Sequence, residues 1–182
     1  GICPVVTASN YHANWTYPGG AFEQWFDESW TAGLSQNTLS RIVSGQGNAM
    51  QSVRTLPLTS YPLYNFSPTS GIPNSTATLA PYFLDWLAHP NYDDYWKKWS
   101  IEEHYSDIQV PSLTIAAWYD LFQGGSLKNY MGMRDHAGNE AARSNQRLLI
   151  TIGGHAGIGR TIGTVDFGDA AAEYDENALT LA

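Results

Sequence analysis

Ser112-Leu113-Thr114-Ile115-Ala116-Ala117-Trp118-Tyr119-Asp120 and Arg147-Leu148-Leu149-Ile150-Thr151-Ile152-Gly153-Gly154-His155 decide how this chain is read. Each run is short, apolar, rich in β-branched residues and bounded by turn residues, which predicts a buried parallel strand. The stretch between them, 128–146, is polar with helical character. Parallel strands need a crossover, and a helix of this length supplies one. The spacing therefore predicts a strand–helix–strand unit that carries an Asp, then a His, to the carboxyl ends of adjacent strands.

Working outward, Ile2 to Ala8 reads as a further buried strand, and 10–20 as a turn-rich aromatic segment. Ala21, Phe22, Trp25, Phe26 and Trp30 fall close to helical spacing, with Gly33 as the stop. The stretch 35–52 is a weaker helix, interrupted by Gly45 and Gly47. Pro57, Pro62, Pro68 and Pro73 make 55–78 an extended excursion without regular structure. A helix resumes near Leu79 and stops before Pro90, a helical turn runs through Glu103, and a last helix begins around Ala170. The fold class is α/β: core segments at 1–20 and 106–182, with a helical insertion at 21–105 that reads as a lid.

Bulk properties exclude several classes. The 182 residues suffice for one sizeable core, and 43% hydrophobic with 14% charged residues is ordinary for a globular protein. A net charge of −8 without any Lys/Arg run argues against nucleic acid and anionic membranes as partners. There is no apolar run long enough to span a bilayer. Gly1-Ile2-Cys3-Pro4 lacks a Met and a basic leader, and reads as the interior of a strand, as if the chain were a fragment. The single cysteine, Cys3, rules out an internal disulfide framework and is expected to be a small buried hydrophobe. Sequons at Asn14, Asn65 and Asn74 are too short a signal to imply secretion. No His-x-x-x-His or His-Glu-x-x-His spacing occurs, so neither metal nor cofactor is expected. Aromatics reach 13%, which fits a deep core, an apolar or sugar-binding pocket, or a partner surface.

The strand-end pair is the candidate chemistry. Asp before His is the order in which the last two members of a Ser…Asp…His triad follow one another in α/β-hydrolases. His155 would take a proton as general base, and Asp120 would fix its tautomer. The bland alternatives are a helix-capping Asp and a surface His. A nucleophile is hard to find inside the chain. Gly124-Gly125-Ser126-Leu127-Lys128 comes after the Asp and ends in Lys, so Ser126 reads as a helix N-cap; Ser44 has no strand before it. His12 reads as loop surface, His89 as a helix end, and His104 and His136 as members of polar stretches.

Taken in order, Pro4-Val5-Val6-Thr7-Ala8-Ser9, Tyr17-Pro18-Gly19-Gly20-Ala21, His89-Pro90-Asn91-Tyr92-Asp93-Asp94-Tyr95-Trp96, Trp118-Tyr119-Asp120, Gly153-Gly154-His155 and Val165-Asp166-Phe167-Gly168 resemble the cocaine esterase-like acyl esterases of the X-Pro dipeptidyl-peptidase (S15) group of α/β-hydrolases. The resemblance spans about 1–175. It implies a partial α/β-hydrolase fold with an inserted helical cap, Asp120 and His155 as triad members, and Trp15 and Phe122 as acyl-pocket residues. Cap residues Trp25, Trp30, Trp86, Trp96 and Trp99 would be packing residues. The Pro-Trp pair that precedes the family's His is absent from Ile152-Gly153-Gly154-His155. The resemblance also implies an upstream hydrolase part with the nucleophile and oxyanion hole, and a C-terminal jelly-roll domain, neither within this chain. The expected substrate is a small ester, or a short acyl or peptidyl compound. Leu121-Phe122-Gln123 after the Asp favours a neutral acyl group. An X-Pro dipeptidyl aminopeptidase and a non-catalytic aromatic-rich binding module are the rival readings.

Overall fold

The two runs form a parallel pair of strands as the sequence predicts, but only the first is buried; the second is half-buried, with Ile150 exposed. In the computed structural model, which describes residues 1–40, 56–60, 76–155, 157–158 and 160–169, the chain divides into two compact units, Gly1–Trp15 with Asp94–Ala182, and Thr16–Asp93. The helices are α1 (Gln24–Ser40), α2 (Thr76–Leu79), α3 (Pro81–Ala88), α4 (Asp94–Lys97), α5 (Gln123–His136) and α6 (Glu140–Ser144). The strands are β1 (Ser112–Ala117), β2 (Gln146–Thr151) and the two-residue β3 (Gly153–Gly154), β4 (Gly157–Ile158), β5 (Thr161–Ile162) and β6 (Val165–Asp166). A parallel sheet joined by a helical crossover places the chain in the α/β class.

In the first unit, β1 pairs with β2 from Ser112↔Gln146 to Ala117↔Thr151. Ser112 Oγ donates to Gln146 Oε1 at 2.7 Å and Thr151 Oγ1 donates to the Ala116 carbonyl at 3.2 Å, so side chains pin both ends of the register. On the other side of β1 the N-terminal segment makes only bridges, Ile2↔Ser112 and Val5↔Ile115. The expected buried strand over 2–8 is thus a ragged edge, with Ile2, Cys3 and Val5 exposed. Its pairing stops because Val6 takes φ 44°, a conformation that costs a β-branched residue roughly 1–3 kcal/mol. The crossover begins earlier than the polar stretch suggests. Helix α5 starts at Gln123, three residues after the Asp, and Asn139 caps α6 by accepting from the Ala142 amide at 2.8 Å. Ser126 is not an N-cap; it lies inside α5, fully buried, where it donates to the Thr7 carbonyl at 3.0 Å and accepts from the Thr7 amide at 3.1 Å. Met133 of α5 and Ala137 at its C-terminal cap bury with Tyr105 and Ala142, flanked by Ile101 and Ile108. Each such large apolar side chain contributes about 1.5–3 kcal/mol.

In the second unit, Leu79, Ala80 and Phe83 form a core against Phe22, Tyr82, Leu84, Trp86 and Leu87. Phe22 meets Phe83 edge-on at 5.9 Å, and Tyr17 donates from its hydroxyl to the Trp86 carbonyl at 2.9 Å. Helix α1 departs from expectation twice. It runs through Gly33 to Ser40, and its fully buried stripe is Asp27, Glu28, Thr31, Ala32 and Ser35, while Trp25 is exposed. Trp99 of the first unit is likewise exposed, under the Lys98 ammonium, whereas Trp96 is buried. Ser44, Asn65, Asn74, the glycines at 45 and 47, most of the Pro-rich stretch and the helix expected from Ala170 lie outside the described residues.

Neither carboxylate oxygen of Asp27 has a hydrogen-bond partner among the described residues. Burial, with Glu23 adding like charge, pushes the Asp27 carboxyl up to about 8. Burial also raises Glu28 to about 7, against a bond from Gln24 Nε2 at 3.2 Å. The folded chain therefore holds the Asp27 proton to a pH where the unfolded chain has long lost it. Stability falls as pH rises from about 4 to about 8, by roughly 1.4 kcal/mol per pH unit for one such group. Thermal melts should show a higher Tm at pH 6 than at pH 8.5. Asp27→Asn should raise the Tm at pH 8.5 and remove most of that slope; an unchanged slope would rule Asp27 out as its origin.

Candidate active site

The β1/β2 ladder continues past the strand ends: the Trp118 amide donates to the Thr151 carbonyl at 2.9 Å and the Tyr119 amide to the Gly153 carbonyl at 2.8 Å. This brings the chain after β1 level with the chain after β2, and so Asp120 beside His155. Asp120 Oδ2 lies 2.8 Å from His155 Nδ1. Its Oδ1 accepts from the Phe122 amide at 2.6 Å, in the turn that leads into α5. The Asp120 side chain is 0% exposed and that of His155 is 37% exposed. A buried carboxylate at Nδ1 selects the tautomer protonated there, which leaves Nε2 with its lone pair. The pair is therefore equipped for general-base chemistry.

One ring stands beside the imidazole and two more pack behind it. Phe122 meets the His155 ring edge-on at 5.3 Å, Trp15 meets Phe122 at 5.8 Å, and Tyr11 meets Trp15 at 5.5 Å and Phe122 at 6.4 Å. The three contacts of Phe122 are edge-on, a favoured geometry of aromatic pairs, and Tyr11 is tilted against Trp15. Trp15 and Phe122, both expected at the pocket, thus come together, with Phe122 against the His155 ring. Tyr11 was not singled out from the sequence. Its place one helical turn before Trp15 is the signal that could have found it: both ride on the turn ending in the π-helical residues His12–Thr16.

The other histidines lie elsewhere. His12 packs edge-on against Trp96 at 5.4 Å and is half-buried rather than a surface residue; His89 faces Asp93 at 2.6 Å at the end of α3; His104 faces Asp107 at 3.2 Å. Among the described residues no three His, Cys, Asp or Glu side chains converge as a metal site would require, and no helix is long and apolar enough to cross a membrane.

A parallel α/β sheet that sets an Asp–His pair at the carboxyl ends of neighbouring strands belongs to the vocabulary of hydrolases. Residues 1–157 match the model of the X-Pro dipeptidyl-peptidase (S15) family, and the chain belongs to that family of hydrolases. It is 25% identical over 192 aligned positions to the cocaine esterase of Rhodococcus sp. (strain MB1 Bresler), an alignment that covers 97% of this chain and 30% of that protein. The chain thus spans less than a third of the curated relative it matches.

The loop that carries Tyr11 and Trp15 lies directly on the first turn of α5. A Cβ on Gly125 would stand 2.8 Å from both Asn14 Oδ1 and the Ser9 nitrogen, and 2.9 Å from the Ala8 Cα. Two of these are backbone atoms with no room to yield. Gly125→Ala should therefore destabilise the fold by about 2 kcal/mol, read as a lower urea midpoint. Gly124→Ala, where an added Cβ meets nothing within 4 Å, is the control and should stay near wild type.

Proposed function

We propose that this chain is the Asp- and His-bearing part of a serine hydrolase that cleaves carboxylic esters through an acyl-enzyme. The observation that carries the reading is the 2.8 Å contact between His155 Nδ1 and the fully buried Asp120 carboxylate. In this reading 1–20 and 106–182 are the C-terminal part of an α/β-hydrolase sheet, and 21–105 is its helical cap. His155 takes the proton from a serine hydroxyl supplied outside this chain and later returns one to the leaving alcohol. Asp120 holds the imidazole and stabilises the imidazolium that forms. The wall of Phe122, Trp15 and Tyr11 receives the acyl group of a small-molecule ester. An upstream hydrolase segment would bring the nucleophile and oxyanion hole, and a jelly-roll domain would follow. The chain by itself would be inactive.

The family's description supports a second reading, an X-Pro dipeptidyl aminopeptidase. That activity needs acidic groups for a substrate ammonium, and Leu121-Phe122-Gln123 after the Asp brings none. This favours neutral acyl groups.

The test uses the complete natural protein that contains this chain, with p-nitrophenyl acetate and butyrate and with an Ala-Pro p-nitroanilide. Ester turnover should dominate. His155→Ala and Asp120→Asn should each lower kcat/KM by about three to four orders of magnitude, with folding retained. The isolated 182-residue chain should show no burst of nitrophenol. Faster release from the anilide would move the assignment to the peptidase, hydrolysis indifferent to His155 would end both readings, and no hydrolysis of either substrate would favour a binding module.

A further inference from the structure

Asn14 sits at the foot of the aromatic wall without joining it. Its Oδ1 accepts from the Ser9 amide at 3.1 Å and from the Asn10 amide at 3.1 Å, and lies 2.9 Å from Ser9 Oγ. The two backbone groups can only donate, so the side-chain oxygen, not its nitrogen, must face them. The single Ser9 hydroxyl proton has two acceptors, Asn14 Oδ1 and, at 2.6 Å, Glu102 Oε1. Glu102 in turn pairs through Oε2 with Lys128 Nζ of α5 at 2.7 Å. Its own amide donates to the Ser9 carbonyl at 3.2 Å. Ser9 is fully buried, so its amide and hydroxyl cannot turn to water instead. The result is a chain of polar contacts, Lys128–Glu102–Ser9–Asn14, that fastens the loop bearing Tyr11 and Trp15 onto the helix that begins one residue after Phe122.

We propose that Asn14 is a positioning residue that fixes the Tyr11–Trp15 side of the acyl wall against Phe122 and His155, and so sets how large an acyl group the site accepts. Loss of the acceptor frees two buried amides and lets the turn shift, which moves Trp15 but leaves the Asp120–His155 contact in place. A short acyl chain does not reach the wall and is indifferent to the shift. A longer one depends on it. The proposal rests on the reading of these rings as an acyl wall.

The experiment compares Asn14→Leu, of similar size without an acceptor, with Asn14→Asp, which keeps an acceptor oxygen, in the complete protein. For Asn14→Leu, kcat/KM for p-nitrophenyl butyrate should fall about tenfold, mainly through KM, while the acetate ester changes less than about threefold. Asn14→Asp should restore the ratio. Ser9→Ala, which removes only a hydroxyl, should move it in the same direction by less and covers the case in which Asn14→Leu does not fold. Equal losses on both esters, no loss on either, or no rescue by Asn14→Asp would overturn the proposal. A second readout needs no turnover. The fluorescence of Trp15, taken as wild type minus Trp15→Phe, should become more accessible to acrylamide in Asn14→Leu and in Ser9→Ala. If the parent protein hydrolyses neither ester, the esterase reading falls while the fluorescence arm still decides whether Asn14 positions the wall; unchanged quenching overturns it.

Discussion

The register of two parallel strands is the constraint on which the site depends. Asp120 and His155 lie 35 residues apart, yet meet at 2.8 Å because β1 and β2 run side by side from Ser112↔Gln146 to Ala117↔Thr151 and two further amides extend the ladder to Gly153. A slip of one residue would displace the Asp by about 3.3 Å and turn it to the opposite face. The register is set by side chains that cannot tolerate such a slip. Ser112 and Gln146 are both buried, and their 2.7 Å bond is renewed by Gln146 Nε2 donating to the Ala142 carbonyl at 2.7 Å. A displaced register would leave these groups buried and unpaired, at about 1–3 kcal/mol each.

The second constraint works on the other side of β1. A continuous strand there would carry the chain along the sheet and away from His155. Val6 breaks the pairing with a positive φ, and Thr7 is caught at once by both faces of the buried Ser126 hydroxyl. Asn129 adds a bond to the Ala8 carbonyl at 3.1 Å. Strain at a β-branched residue is sustained only where the surroundings fix it more strongly than it resists. Here the fixing residues all belong to α5, the helix that opens at the site, so the diversion of the chain and the placement of the rings share one support.

What could be read from the residues follows from the range of the interactions involved. The strand runs and the Asp-then-His order are local patterns, and the burial of Ile115, Ala116 and Ala117 enforces them. The sequence places the start of α5 too late because Gln123-Gly124-Gly125-Ser126 resembles a turn; Gly125 is required there by the approach of residues 8, 9 and 14, a contact invisible at that separation in sequence. Apolar spacing misled most in α1. Phe22, Trp25, Phe26 and Trp30 suggested the inward face, yet the fully buried positions are Asp27, Glu28, Thr31, Ala32 and Ser35. Periodicity reports a helix and its phase only when the interior is apolar, and here the interior stripe is polar. Cys3 and Trp99 failed for the same reason: composition gives the usual fate of a residue type, not its place in this chain.

The burial of the two partners is unequal, and the inequality fits their proposed tasks. Asp120 is sealed off, so both its oxygens depend on protein donors: the Phe122 amide for one and the His155 ring for the other. Loss of either would leave a buried carboxylate oxygen unpaired, so the imidazole is held by the needs of the acid as much as by its own. The amide that satisfies Oδ1 belongs to the same residue whose ring edges against the imidazole at 5.3 Å. Phe122 therefore couples pocket to acid–base pair: its backbone orients the carboxylate, its ring faces the imidazole, and its other neighbours are Trp15 and Tyr11. The Phe122 ring stands between the other two rings and the imidazole, while the carboxylate is held by a backbone bond that those rings do not make. In the proposed function, substrate selection and proton transfer would thus vary separately, because Phe122 would contribute its side chain to the first and its main chain to the second.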